Sequence, residues 1–160
     1  MNQANPHQQL ISNIGDLFLD FQTKIQSYER ILLKEKGITD VTANEVRILY
    51  MIGLSNNKSM KEIANQLRIT QGTLSIAVNT LVKKGYVIRT RHKMDKRVII
   101  LYLTRKSIQA IKAYTELYSE LIIQLLNVFQ EEKIKILERI LEELNHILER
   151  ELEERDEEHE

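Results

Sequence analysis

A chain of 160 residues that is 42% hydrophobic and 29% charged has enough apolar matter for a packed core and too much for a disordered polymer. It contains no cysteine, which excludes a disulfide framework, a thiol sensor and a thiolate metal site, and it has no run of about 18 apolar residues that would span a membrane. The formal net charge of zero conceals a division. Lys58 to Arg97 holds ten Lys and Arg against two acids, a net +8, whereas Glu131 to Glu160 holds 13 acids against five bases, a net −8. A basic middle points to a polyanion partner, unless it is simply a solvated face.

The polar start, Met1 to Gln9, lacks the basic-then-apolar pattern of an export signal and predicts a cytoplasmic location. From Gln9 to Lys36, Leu10, Ile14, Leu17, Phe18, Phe21, Ile25, Tyr28, Ile31 and Leu32 recur at spacings of three and four, one stripe of a long amphipathic helix ended by Gly37. Thr42-Ala-Asn-Glu45 is a capping box that opens a second helix through Val46, Leu49 and Ile52. Ser59-Met-Lys-Glu62 is another, opening a short helix with Ile63, Ala64 and Leu67. After a turn at Arg68-Ile69, Thr70 caps a further helix with Leu74, Val78, Leu81 and Val82 inward and Ile76 and Ala77 beside them.

The period then changes. Tyr86–Arg91 and Val98–Leu103 are β-rich runs that flank a polar connection and predict a hairpin. Thr104 caps a long helix with Ile108, Ile111, Leu117, Leu121 and Leu125 on one stripe. Phe129 and Ile134 have staple spacing around the start of a last helix, which is expected to fray after Leu152.

Two short helices joined by a tight turn, the second polar on its outer face, predict a helix-turn-helix whose recognition helix presents its N-terminal residues to base edges in the major groove. Those residues are Thr70, Gln71, Gly72, Thr73 and Ser75, with Asn79 and Thr80 one to two turns later. Gln71 suits paired hydrogen bonds to adenine, and Gly72 allows close backbone approach or is merely a tolerated glycine at a helix start. Arg89, Arg91, Lys93, Lys96 and Arg97 lie in or beside the hairpin, where packing requires none of them, and a basic hairpin suits a phosphate backbone and a narrow minor groove. Asp95 braces Arg97, forms the turn, or does both.

The run Met60 to Thr104, MKEIANQLRITQGTLSIAVNTLVKKGYVIRTRHKMDKRVIILYLT, resembles the MarR family of winged-helix regulators. Its specific parts are Gly72 to Leu74, the L-x-x-KGY of Leu81 to Tyr86, and Asp95-x-Arg97. The resemblance implies a mainly α fold with a small β-hairpin wing. In it a winged helix-turn-helix over 42–104 is flanked by dimerisation helices over 9–36 and 105–152, all within one domain, 1–160. It also implies that Arg97 enters the minor groove with Asp95 as its partner. An effector pocket would lie between the dimer helices and the winged helix, and Phe21, Ile25, Tyr28, Tyr50 and Tyr114 are its candidate lining, or else plain core residues. The effector would be a small apolar or phenolic molecule or a protein-borne acyl chain, if there is one. The wording of the motif is also similar to repressors of fatty-acid synthesis genes.

Independently of the resemblance, the terminal helices carry more apolar surface than a small winged-helix core covers, which predicts a homodimer on a palindrome-like duplex site. An intramolecular bundle is the alternative. His7, His92, His146 and His159 are scattered, and no nucleophile with a base, no phosphate-cradling loop and no metal-ligand spacing is visible. Glu142, Glu143 and His146 read as a surface cluster on a glutamate-rich helix. The sequence therefore predicts no enzyme, cofactor or metal. A helical protein-interaction module without a DNA role is the competing reading, and it leaves the basic hairpin without a use.

Overall fold

The computed structural model describes residues 6–54, 59–91 and 99–157. Along them run α1 (Pro6–Glu35), α2 (Ala43–Leu54), α3 (Met60–Gln66), α4 (Gln71–Lys83), β1 (Val87–Arg91), β2 (Ile99–Leu103), α5 (Arg105–Val128) and α6 (Glu131–Glu157). The fold is mainly helical with one antiparallel hairpin, in which Val87 faces Leu103 and Arg91 faces Ile99. No described helix is long and apolar enough to cross a membrane.

The helix starts follow from their caps. The Glu62 amide donates to Ser59 Oγ at 3.3 Å while Ser59 N donates to Glu62 Oε2 at 2.7 Å, so two amides that the helix leaves orphaned are satisfied together. Thr42 and Glu45 repeat the arrangement at α2, at 2.8 and 3.2 Å. At α4 the Thr73 amide donates to Thr70 Oγ1 at 3.0 Å.

Three helices end in the same way. After α1, Gly37 sits at φ 72°, with Ile38 N donating to Leu33 O and Gly37 N to Lys34 O; after α4, Gly85 at φ 77° does the same through Tyr86 and Leu81. This is the paired-bond termination that favours glycine, because a left-handed residue carries no Cβ penalty there. After α3 the identical pair of bonds, Ile69 N to Ala64 O and Arg68 N to Asn65 O, is closed by Arg68 at φ 49°. The turn of the helix-turn-helix is thus made by an arginine in a conformation that costs an L-residue about 1–2 kcal/mol.

By internal contacts the chain divides into two units, Met1–Leu117 and Tyr118–Glu160. In the first, Val46 and Leu49 of α2, Ile63 of α3, Leu74, Val78 and Leu81 of α4, Tyr86, and Ala110 and Ala113 of α5 make one buried cluster. Ile76 departs from expectation. It is 71% exposed, because at 3.6 residues per turn position 76 points away from the buried Leu74 and Val78. In the second unit, α6 continues helical to Glu157 rather than fraying after Leu152. Its last turns are rich in Glu, Arg and Leu, all good helix formers, and Arg155 lies 4.0 Å from Glu151 one turn earlier.

Candidate nucleic-acid interface

On α4 the core stripe of Leu74, Val78 and Leu81 fixes what faces out. Gln71, Gly72, Thr73, Ile76 and Asn79 are exposed, and Ser75 and Thr80 are half-buried. Several of these polar groups have internal partners. Thr70 Oγ1 and Thr73 Oγ1 share a hydrogen bond at 2.8 Å, and Thr80 Oγ1 donates back to the Ile76 carbonyl at 3.1 Å. Thr70 is therefore first a cap, and Thr73 is tied to it. Gln71 and Ser75 make no such bond among the described residues.

The hairpin joins this face through one contact. Arg89 on β1 donates from Nη1 to Asn79 Oδ1 at 3.0 Å, so two residues predicted separately form one unit across strand and helix. Arg91, two residues on, shares the strand face of Arg89 and is exposed. Lys93, Asp95, Lys96 and Arg97 lie outside the described residues. Between the N-terminal ends of α3 and α4 and the strands lies a cleft of about 450 Å³, lined by Lys61, Gln71, Gly72, Ser75, Arg89 and Ile99. The sequence reading did not single out Lys61. Its position two residues inside the Ser59 cap, on the first helix of the pair, was the available signal.

Gly72 has room for a side chain. A Cβ added there meets nothing nearer than Thr70 Oγ1 at 3.7 Å, an ordinary contact. Nothing in the fold demands glycine, although glycine costs a helix about 1 kcal/mol relative to alanine.

Behind the face, the C-terminal end of α4 is clamped. Tyr86, whose ring is buried, donates from its hydroxyl to Asp40 Oδ1 at 2.6 Å. Lys106 donates to Asp40 Oδ2 at 2.6 Å and to the Lys84 carbonyl at 3.1 Å, and its ammonium lies 4.3 Å from the centre of the Tyr86 ring. Lys84 in turn donates to Glu45 Oε1 at 2.7 Å. Thr104 donates to the Gly85 carbonyl at 2.9 Å and Ser107 to the Tyr86 carbonyl. These bonds fix α4 against the start of α5, α2 and the loop before α2.

The clamp has a pH signature. The hydrogen bond from Lys106, then that from Tyr86, holds Asp40 below its ordinary 3.8. At Glu45 burial pushes upward, but the bonds from Lys84 and Thr42 outweigh it and leave the carboxyl below 4.5. Carboxylates lowered in the folded state stabilise it fully above their unfolded values, and that contribution is lost as pH falls through the lowered ones. Stability should accordingly drop on acidification below about pH 4.5, and Asp40→Asn should flatten that limb while costing about 1 kcal/mol or less at pH 7, because the Asp40–Lys106 pair is largely solvent-facing. Thermal melts of both proteins from pH 3 to 7 check this; parallel acid limbs would remove Asp40 from the account.

The candidate effector residues differ in burial. Tyr114 belongs to the core, Ile25 and Tyr50 are half-buried, and Phe21 and Tyr28 are exposed. The cleft described above contains none of them. Among the described residues no group of His, Asp and Glu is arranged to hold a metal ion, Glu142, Glu143 and His146 included.

Residues 39–98 match the model of the MarR family. The HTH-type transcriptional regulator BilQ of Clostridium symbiosum is 33% identical over 82 residues, 51% of this chain and 57% of that protein. The HTH-type transcriptional regulator SarZ of Staphylococcus haemolyticus is 27% identical over 117 residues, 73% and 76% of the two chains. Among solved structures, Streptococcus pneumoniae FabT in complex with DNA superposes with a TM-score of 0.80 at 23% identity, covering 87% of this chain and 97% of that one, which establishes a shared fold.

Proposed function

By its residues 39–98 this chain belongs to the MarR family, and from that premise we propose that it is a DNA-binding transcriptional regulator, a repressor acting as a homodimer on a palindromic operator. The observation that carries the proposal is the union of the outward face of α4 with the basic strand, joined by the Arg89–Asn79 bond, inside a segment of net charge +8. That arrangement offers side chains to base edges and cations to phosphates at once. Gly72 fits the same reading: a residue the fold does not need is what close backbone approach to a duplex requires. The relatives named above are transcriptional regulators and one structural neighbour is a DNA complex, which supports a binding role over a catalytic one.

The dimer rests on exposed apolar surface. Leu10, Ile14, Leu17, Phe18 and Phe21 of α1 are between 45% and 67% exposed in the single chain, and Ile122 and Leu126 of α5 and Ile140 and Leu148 of α6 are exposed as well. A two-fold dimer would set two recognition helices about 34 Å apart, one turn of DNA. Arg97, with Asp95 beside it in sequence, is assigned to the neighbouring minor groove and Lys93 and Lys96 to phosphates. A small apolar, phenolic or acyl effector acting through Phe21, Ile25, Tyr28, Tyr50 and Tyr114 is the corresponding regulatory reading, and the cytoplasm its location.

Salt tests the proposal directly. Neutralising about six to ten phosphates releases counterions, so log Kd should change with log salt at a slope of magnitude roughly 5–9. A fluorescence-anisotropy titration between 50 and 300 mM salt measures it. A nearly flat response would leave only the protein-interaction reading standing.

A further inference from the structure

We propose that Ile76 reads the 5-methyl group of a thymine in the major groove, a role that rests on the DNA-binding reading above and adds a specificity determinant to it. Ile76 is 71% exposed, although Leu74, Val78 and Leu81 of the same helix are fully buried and Val82 is partly buried. A single exposed isoleucine on a protein surface is ordinary. This one occupies a particular place. At 100° per residue, Gly72, Thr73, Asn79 and Thr80 are its flanking neighbours, so Ile76 stands at the centre of the outward face of α4.

The polar side chains around it are engaged within the molecule. The Thr73 hydroxyl is bonded to Thr70, the Thr80 hydroxyl to the Ile76 carbonyl, and the Asn79 amide oxygen to Arg89. One turn earlier, Gly72 offers no side chain to hold a base away. What the centre of the helix presents to a groove is therefore an apolar group. Of the four bases only thymine displays an apolar group on its major-groove edge. A β-branched side chain in a helix is held almost entirely in one rotamer, so Ile76 presents its methyl groups at a fixed position and loses little freedom on contact. The basic strand beside it supplies the electrostatic attraction that brings a duplex to this face, with Arg89 bonded to α4 itself.

The test couples a change in the protein to a change in the DNA. Duplexes selected from a random pool by the full-length protein are resynthesised with deoxyuridine at each thymine in turn, which deletes only the methyl group. For the wild type, one position in each half-site should weaken binding about three- to fivefold, the value of burying one methyl. Ile76→Ala should bind the unmodified duplex more weakly by a similar factor and lose no more when that thymine becomes deoxyuridine. Ile76→Val should retain part of the sensitivity. Both variants should melt as the wild type does, because the side chain is outside the core. The inference is overturned if no thymine methyl matters to the wild type, or if Ile76→Ala keeps the full deoxyuridine penalty. Failure to select any duplex is a different outcome: it removes the DNA-binding reading, and this inference with it.

Discussion

Leu74→Ala is expected to lower the free energy of unfolding by about 2–5 kcal/mol, the range for truncating a fully buried leucine and leaving part of its volume empty. Leu74 has no exposed surface and belongs to the cluster that joins α2, α3, α4 and α5. Domains of this size are stable by only about 5–15 kcal/mol, so the loss is a large share of the whole. In urea the midpoint should fall with the slope unchanged, since the surface exposed on unfolding is nearly the same. DNA affinity should fall too once temperature approaches the lowered melting point, because Gln71, Thr73 and Ile76 are presented only when the opposite side of α4 is seated. A loss below about 1 kcal/mol would mean that the cluster does not hold α4 in place.

Much of this organisation was written in short-range pattern. The capping boxes at Thr42 and Ser59 and the glycines at 37 and 85 set helix boundaries because each acts over three to six residues, and the structure places the bonds where the pattern put them. The turn between α3 and α4 falls at Arg68-Ile69, where the sequence put it, but the left-handed conformation of Arg68 itself had no local sign, because the glycine that marks it after α1 and α4 is absent. Ile76, placed beside the inward residues by the sequence, is turned outward by the helical period itself, since 76 lies about 200° from both Leu74 and Val78. The clamp was beyond sequence reasoning altogether. Asp40 meets Tyr86 and Lys106 across 46 and 66 residues, and no local spacing encodes such a pairing. The same holds for Arg89 and Asn79, each chosen for its own chemistry and found to be bonded to the other.

Leu17→Glu combined with Phe18→Glu is expected to turn the proposed dimer into a monomer that is still folded. The two side chains are 67% and 51% exposed in the single chain, so nothing in the core depends on them, and circular dichroism and the melting profile should change little. In a dimer through α1 the same substitutions would bury two carboxylates per chain in an apolar contact, which is costly for unpaired charges. Sedimentation should therefore report half the wild-type mass. The consequence for DNA follows from linkage. Two winged helices held together bind a palindrome as one event followed by an intramolecular one, and the second step multiplies affinity by about 10²–10⁴ without any new contact. The monomeric variant should lose a factor of that order on a full palindrome yet bind an isolated half-site as the wild type does. The salt slope per half-site should be preserved, because the cations of Lys61, Arg89 and Arg91 are untouched. A variant that stays dimeric, or a monomer that binds the palindrome undiminished, would show that α1 is not the surface that pairs the two recognition helices.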